Sequence, residues 1–216
     1  MVELSLIHRV RLAQPNTQKA PLLLLIHGYG SDENDLFSFA EELPEHYCII
    51  SVRAPYPMQP YGNAWYAIHI DHEGVKSSDN EEARNSRDRL ATFIDEAVKT
   101  YDLDADKISL IGFSQGAILS YAVALTYPKK IKRVIGLSGY INEQIIDLQP
   151  NDTYTHLHFY NSHGTVDQVI PIEAARKTPV FFENLGIDSS LSEFPVGHGV
   201  HPQNFYEFKK WLQETE

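Results

Sequence analysis

One pentapeptide, Gly112-Phe113-Ser114-Gln115-Gly116, constrains the fold of this chain more than any other feature. A β-prone apolar run over residues 108–113 leads into it and a helical pattern follows, so it predicts a tight strand–turn–helix connection. In such a turn the backbone of the serine is strained, and side chains two residues before or after it would collide with neighbouring elements. The two glycines therefore predict a nucleophile elbow that carries Ser114 beyond the end of its strand.

Size and charge limit the possible partners of the chain. Its 216 residues suit one domain, predicted over residues 1–216, and the formal charge of −11 argues against a nucleic-acid partner. The first residues lack the pattern of a signal peptide, and the longest apolar run, residues 22–26, is too short to cross a bilayer. Cys48 is the one cysteine and is expected to be a small buried side chain. We expect a cytoplasmic protein with no integral membrane segment.

Apolar runs of strand length alternate with helical patterns along the chain. This alternation predicts an α/β fold, with a mostly parallel central sheet and helices on both of its faces. The predicted strands are 4–13, an edge strand followed by a turn at Pro15 and Asn16, then 22–26, 49–52, 108–113, 134–137, 157–160 and 191–194. The predicted helices are one capped by Ser31 or Asp32 that stops before Pro44, one with a capping box of Ser78 and Glu81, the elbow helix ending by Pro128, one starting at Pro171, and 205–212.

Residues 55–80 interrupt the alternation with three prolines, several aromatic side chains and little helical periodicity. A loop of this length inside a small domain is usually functional or mobile. One interpretation is a wall or lid beside a substrate, built from Tyr56, Tyr61, Trp65 and Tyr66. The alternative is a packed surface excursion that touches no ligand.

Ser114 needs a base to remove its proton and an acid to orient that base, because a serine hydroxyl is a poor nucleophile near neutral pH. In a parallel sheet both should come from loops at the carboxyl ends of later strands. The loop after the strand at 157–160 contains Asp167. The loop after the strand at 191–194 contains His198 between two glycines, which we expect to let the backbone approach the site closely.

Other acids and histidines are less well placed. Asp147 and Asp152 lie before their predicted strand instead of after it. His156 and His158 alternate with apolar residues and so belong to the face of a strand. His201 precedes a proline at a predicted helix start, where we expect it to help end the loop.

Two further histidines are expected to be structural. His163, next to Gly164, would shape the loop that carries Asp167, and His27 would be buried and hydrogen-bonded under its own loop. No pair among the ten histidines has the helical H-x-x-x-H spacing with an acidic residue between them. We therefore expect no metal site.

The oxyanion of a tetrahedral intermediate needs hydrogen-bond donors. One should be the backbone N–H of Gln115, directly after the nucleophile at the helix start. The other should come from the loop after an early strand, and His27-Gly28-Tyr29-Gly30 follows the run at 22–26. The backbone N–H of Tyr29 is the expected second donor.

These stretches together resemble the phospholipase/carboxylesterase family of α/β hydrolases, which includes the acyl-protein thioesterases. The order Ser, Asp, His along the chain is the one expected of that fold. The matching motifs cover nearly the whole chain: His27-Gly28-Tyr29-Gly30, Asn63-Ala64-Trp65-Tyr66, Gly112-Phe113-Ser114-Gln115-Gly116-Ala117, His163-Gly164-Thr165-Val166-Asp167 with Ile170-Pro171, and Gly197-His198-Gly199-Val200. The run from Gly30 to Leu36 looks closer to the bacterial esterase members.

The resemblance implies hydrolysis of carboxylic esters or thioesters through an acyl-enzyme on Ser114, with Asp167 and His198 completing a triad. It also implies that Trp65 and Tyr66 belong to a substrate loop. We expect a cofactor-free serine esterase acting on a small acyl ester. A lysophospholipase or peptidase on the same triad and a non-catalytic binding protein on a hydrolase scaffold remain alternatives, and residues 55–80 could equally line a homodimer contact.

Overall fold

A seven-stranded sheet runs through the computed structural model, which describes residues 4–15, 19–74 and 76–216. The strands are β1 (His8–Arg11), β2 (Ala20–Ile26), β3 (Cys48–Val52), β4 (Tyr56–Pro57), β5 (Asn63–Ala64), β6 (Ile68–Ile70), β7 (Lys76–Ser78), β8 (Leu103–Phe113), β9 (Arg133–Leu137), β10 (His158–Gly164) and β11 (Ser189–Phe194). The α-helices are α1 (Asn80–Tyr101), α2 (Gln115–Thr126), α3 (Ile172–Ala175), α4 (Lys177–Asn184) and α5 (Pro202–Glu214).

The main sheet has the order β1–β3–β2–β8–β9–β10–β11. Only the edge strand β1 is antiparallel to its neighbour, β3, and the other neighbouring pairs are parallel. The carboxyl ends of β2, β8, β9, β10 and β11 therefore meet at one edge, where their loops converge. This confirms the predicted α/β class with a mostly parallel sheet.

Two apolar layers cover the two faces of the sheet. Alternation along β2 sends Leu22 and Leu24 into one layer and Leu23 and Leu25 into the other, with none of the four exposed to solvent. Helices α1, α2 and α4 pack on the first face, and α5 packs on the second. Strand β2 is therefore buried on both sides, as its unbroken apolar sequence predicts.

The predicted helix between Ser31 and Pro44 is wrong. Only a 3₁₀ turn, Leu36–Phe39, forms there, although the apolar side of the predicted helix, including Ala40 and Leu43, is buried. The side chains before it are used in local turns: Asp32 accepts the backbone N–H of Asn34, and the Ser31 hydroxyl donates to Asp35. These short polar side chains compete with helical backbone hydrogen bonds and favour turns.

Other boundaries move by a few residues. Helix α1 is capped by Asp79, which accepts the N–H groups of Glu81 and Glu82, and not by Ser78 as predicted. Pro171 is the cap of α3 and not its first helical residue. Strand β10 continues through three polar residues beyond its predicted end, because Asn161, Ser162 and His163 are all buried. The predicted turn at Pro15 and Asn16 extends outside the described residues.

The described residues of the 55–80 segment form two small hairpins, β4–β5 and β6–β7, which apolar periodicity did not predict. The first hairpin docks on the loop after β2: Gly30 donates its N–H to the Asn63 carbonyl, and Asn63 donates to the Ser31 carbonyl. A Cβ atom at Gly62 would lie 2.2 Å from the Gly30 oxygen, so only glycine permits this approach.

Two further expectations concern burial and membranes. Cys48 is 1% exposed, and burial raises the pKa of its thiol to about 11, as expected of an inert core side chain. Among the described residues, no helix combines the length and apolarity needed to cross a bilayer.

Candidate active site

The elbow has the strained geometry that its glycines predict. Ser114 has a φ of 53°, in the region that L-residues rarely adopt. A Cβ atom at Gly112 would lie 2.3 Å from the Gly116 oxygen, and one at Gly116 would lie 1.9 Å from the Ile26 oxygen. The backbone N–H of Ser114 donates to the Leu137 carbonyl at 2.9 Å, which ties the turn to β9. The strain at Ser114 is therefore maintained by close packing on β2 and α2 and by this bond to β9.

Ser114, His198 and Asp167 lie in one hydrogen-bonded chain. The Nε2 atom of His198 is 2.9 Å from Ser114 Oγ, and its Nδ1 atom is 2.7 Å from Asp167 Oδ2. The serine and the aspartate are each 7% exposed, so only a small part of each faces solvent. With its Nδ1 proton directed to the carboxylate, the imidazole presents the Nε2 lone pair to the serine hydroxyl.

Asp167 is held as a carboxylate. Burial raises its pKa, but hydrogen bonds from His198 and from the N–H groups of Ile170 and Val169 outweigh burial, and the pKa lies below its ordinary value. Its Oδ1 atom accepts these backbone groups at 2.8 Å from Val169 and 3.0 Å from Ile170. The charged carboxylate is therefore fixed by two backbone N–H groups in addition to the imidazole.

His163 contacts the loop that carries Asp167. Its side chain is fully buried, and Nε2 lies 2.8 Å from the Ile170 carbonyl oxygen and 3.3 Å from Asp167 Oδ2. Since a carbonyl only accepts, Nε2 carries the proton. Nδ1 has no hydrogen-bond partner among the described residues. The ring thus shapes the loop that carries Asp167, as the sequence suggests.

The loop that carries His198 packs closely against the end of β10. The two glycines that flank His198 do not take part in this close contact. A Cβ atom at Gly164 would lie 2.2 Å from the Val196 oxygen, so the end of β10 presses directly on this loop. In contrast, a Cβ at Gly197 or Gly199 would meet nothing within 4 Å. The expectation that these flanking glycines allow a close approach is therefore wrong, because the close contact lies at Gly164.

The competing acids and histidines make other contacts. Asp147 pairs with the buried Arg87 at 2.9 Å. His156 Nε2 lies 2.8 Å from the Pro128 carbonyl oxygen, and His201 caps α5 by accepting the N–H of Gln203 at 3.2 Å. None of these three joins the chain from Ser114 to Asp167.

The loop after β2 lies against the nucleophile. A Cβ atom at Gly28 would be 3.3 Å from the Ser114 Cβ, so the backbone that leads into Tyr29 is adjacent to the reacting group. Gln115 is the first residue of α2, and the N–H groups of the first helical turn lack partners within the helix. Gly28, directly before Tyr29, and Gln115 are thus next to Ser114 on different elements.

His27 is buried under this loop with a defined tautomer. Its Nε2 atom accepts the N–H of Ala54 at 3.0 Å, so the proton is on Nδ1, which donates to the Gly28 carbonyl at 2.7 Å. Burial lowers the pKa of this imidazole, which favours the neutral form. The Gly28 carbonyl and the Tyr29 N–H belong to one planar trans peptide, so fixing the first directs the second to the opposite side.

Trp65 and Tyr66 are not at the surface of the site. Their side chains are 0% and 1% exposed and belong to the core between the sheet and α1 and α2. In this structure neither side chain offers a surface to a substrate, which differs from the expectation for this motif. The physical reason is that the 63–66 segment is pulled inward by hydrogen bonds to Gln115 and His27.

The side chain of Gln115 is a feature that sequence reasoning missed. Its Oε1 accepts the N–H of Trp65 at 3.1 Å and its Nε2 donates to the Tyr66 carbonyl at 2.9 Å. The residue is 3% exposed. A buried amide needs partners for both of its ends, but the sequence carries no signal of which backbone supplies them.

A cavity of about 450 Å³ opens at the same edge of the sheet, lined by the loop after β2 and by the tip of the first hairpin, including Asp32 and Tyr61. Among the described residues, no group of three or more His, Cys, Asp or Glu side chains is arranged to hold a metal ion.

Comparison with known proteins matches this geometry to one family. A family model described as Phospholipase/Carboxylesterase matches residues 8–216. Acyl-protein thioesterase 1 of Debaryomyces hansenii is 26% identical over 228 residues, covering 97% of both chains. A probable carboxylesterase of Oryza sativa subsp. japonica is 25% identical, covering 69% of this chain and 57% of the relative.

Solved structures show the same fold. The carboxylesterase of Bacillus cereus superposes with a TM-score of 0.84 at 22% identity, covering 98% of this chain and 95% of that chain. Esterase PE8 superposes with a TM-score of 0.82 at 24% identity over the full length of both chains. The described residues therefore form a single-domain α/β-hydrolase fold.

Proposed function

Since the chain belongs to the phospholipase/carboxylesterase family, we propose that it hydrolyses esters by nucleophilic catalysis at Ser114. The observation that carries this proposal is the hydrogen-bonded chain from Ser114 through His198 to Asp167, at 2.9 and 2.7 Å. A nucleophile within hydrogen-bonding distance of a base, with that base oriented by an acid, is the arrangement needed to form an acyl-enzyme.

In the first half of the reaction, Ser114 Oγ attacks the acyl carbon and His198 Nε2 takes the hydroxyl proton. The imidazolium that forms is stabilised by the carboxylate of Asp167, which stays ionised. His198 then gives the proton to the leaving alcohol or thiol as the bond from the acyl carbon to that group breaks. The products of this half are the free alcohol or thiol and an ester on Ser114.

In the second half, water attacks the acyl-enzyme while His198 takes a proton from it. The bond from the acyl carbon to Ser114 Oγ then breaks, Oγ recovers the proton, and a carboxylic acid leaves. In both halves we assign the oxyanion to the backbone N–H groups of Tyr29 and Gln115. A donor of this kind is typically worth about 3–4 kcal/mol in the transition state.

The substrate class is a small-molecule carboxylic ester or thioester. The curated relatives are named acyl-protein thioesterase and carboxylesterase, which supports both leaving-group types. No group within the triad discriminates between oxygen and sulfur, because His198 can protonate either leaving atom. A substrate series measures the preferred acyl-chain length directly.

The experiment is steady-state hydrolysis of p-nitrophenyl esters of increasing acyl length, with a matched thioester and a peptide amide, by wild type and Ser114→Ala. We expect turnover of esters and thioesters and a loss of about 10⁶ in kcat for Ser114→Ala. Ser77→Ala, at an exposed position of β7, is the matched serine control and should retain wild-type rates. Amide cleavage as fast as ester cleavage would favour a peptidase instead.

The sequence alone motivates two expectations, one on the association of this chain with a second copy and one on its location in the cell. Pairing of two copies through residues 55–80 and a cytoplasmic location stay predictions. Sedimentation analysis of the purified protein tests the first, and fractionation of the cell tests the second.

A further inference from the structure

Trp65 makes hydrogen bonds with three separate elements. Its indole Nε1 donates to the His27 carbonyl at 2.9 Å, and its backbone N–H donates to Gln115 Oε1 at 3.1 Å. Its own carbonyl accepts the hydroxyl of Ser86, on α1. The indole also lies beside the His27 ring, with the ring centroids 5.5 Å apart. One fully buried residue thus bridges the loop after β2, the start of α2 and the middle of α1.

Two of these contacts fix the elements that carry the proposed oxyanion donors. His27 is two residues before Tyr29, and its ring holds the Gly28 carbonyl, which belongs to the same peptide as the Tyr29 N–H, at 2.7 Å. Gln115 supplies the other donor from its own backbone while its side chain is bonded to Trp65. The distance between the two donors therefore depends on a connection that passes through Trp65.

We propose that Trp65 is a positioning residue for the oxyanion hole, which sets the Tyr29 and Gln115 N–H groups at the separation that the transition state needs. This inference rests on the proposed function and deepens it. The brace consists of Trp65, His27 and Gln115, with Ser86 as its anchor on α1.

An oxyanion hole tolerates little change in distance. Oxyanion donors act when they lie about 2.7–3.1 Å from the position that the charged oxygen will occupy, and a displacement of about 1 Å in a catalytic arrangement can cost on the order of 100-fold in rate. The loop after β2 lies outside the helices and strands, and the first hairpin bonds to it only beyond Tyr29, at Gly30 and Ser31. A buried indole N–H that fixes its carbonyl supplies that rigidity, because leaving the carbonyl unpaired in the core is unfavourable.

The decisive variant is Trp65→Phe, which keeps an aromatic ring in the core and removes the bond to the His27 carbonyl. We expect kcat to fall about 10- to 100-fold with KM within about twofold of wild type, as for an interaction made only in the transition state. Trp211→Phe, at the other tryptophan of the chain, is the matched control because it lies in the opposite layer with Tyr160. It should retain the wild-type kcat.

A readout specific to positioning is inhibition by a trifluoromethyl ketone, which adds to a nucleophilic serine and places an oxyanion in the hole. The inhibition constant should rise in Trp65→Phe by the same factor by which kcat/KM falls, whereas the inhibition constant of the carboxylate product should not change. An unchanged kcat, or a rise in KM with an unchanged inhibition constant for the ketone, would overturn the inference.

Gln115→Met and Ser86→Ala keep the test decisive should Trp65→Phe fail to fold. Gln115→Met retains the backbone N–H but loses both bonds to the 65–66 backbone, and Ser86→Ala loses the anchor on α1. Each should lower kcat and raise the ketone inhibition constant together, and wild-type values for both variants would overturn the inference. Failure of the proposed function is distinguishable, because wild type itself would then neither hydrolyse the esters nor react with the ketone.

Discussion

The Oδ2 atom of Asp167 lies 2.7 Å from Nδ1 of His198, while the other oxygen of the same carboxylate accepts two backbone N–H groups at 2.8 and 3.0 Å. The two oxygens therefore have separate tasks. Oδ1 fixes the loop, and Oδ2 fixes the tautomer and orientation of the imidazole. This division allows a substitution that changes one task and leaves the other.

Asp167→Asn should preserve the conformation of the loop that contains residue 167 but should no longer fix the tautomer of His198. The amide oxygen still accepts the backbone N–H groups of Val169 and Ile170, whereas its NH₂ group cannot accept the Nδ1 proton of His198. We expect kcat for a p-nitrophenyl ester to fall by about 10⁴ while the chain stays folded at neutral pH. Asp152→Asn, at an exposed position, is the control. A kcat within about tenfold of wild type would contradict the assignment of Asp167.

The same carboxylate makes stability depend on pH. Because its pKa is lower in the folded chain than the ordinary value of 3.8, its contribution to the free energy of unfolding is fully present above that ordinary value. It is lost as the pH falls through the folded pKa. Urea unfolding of wild type and Asp167→Asn should therefore differ by less at pH 3 than at pH 5. A difference that grows on acidification would refute this.

Two glycine substitutions should differ sharply in their effect on stability. A Cβ atom at Gly116 would overlap the Ile26 carbonyl at 1.9 Å, where strand and helix backbones meet, so Gly116→Ala should unfold the chain or cost more than about 4 kcal/mol. Gly199→Ala meets open space at a φ that alanine accepts, so it should change the free energy of unfolding by less than about 1 kcal/mol. Denaturant titration of both variants compares them. An equal loss in the free energy of unfolding for the two variants would show that position 116 can accommodate a Cβ atom.

The one thiol of the chain should report unfolding. Burial raises the pKa of Cys48 to about 11 and the side chain is 1% exposed, so native protein at pH 8 holds it protonated and enclosed. We expect Ellman's reagent to modify one thiol per chain in urea and to react with native protein only as fast as the chain opens. Rapid modification of the native protein would place Cys48 at the surface instead.

Local sequence was sufficient to predict the elbow and the three side chains, Ser114, His198 and Asp167, that hydrogen bonds join in the structure. Gly112 and Gly116 predict a turn whose steric demands are specific, and β-strand order then decides which loops reach Ser114. Asp167 and His198 follow because each lies directly after a strand of the parallel sheet. These predictions depend on the order of strands along the chain and on backbone sterics, and a single sequence is enough to infer both.

Where tertiary contacts decide, the sequence was misleading. The apolar periodicity at Leu36, Ala40 and Leu43 is compatible with a helix and with buried turns. It therefore predicted which side chains are buried but not the backbone conformation. The aromatic residues of 55–80 suggested a substrate wall, but Trp65 is in the core because Gln115 and His27 offer it hydrogen-bond partners that no local pattern reveals.

Covalent labelling of native wild-type protein with a fluorophosphonate tests directly whether Ser114 is an activated nucleophile. Peptide mass analysis locates the modified residue. A serine activated by His198 and Asp167 should be labelled at Ser114 with one adduct per chain, and Asp167→Asn should be labelled far more slowly. Labelling that is absent in folded protein, or that occurs at another serine with Ser114 unmodified, would contradict the account.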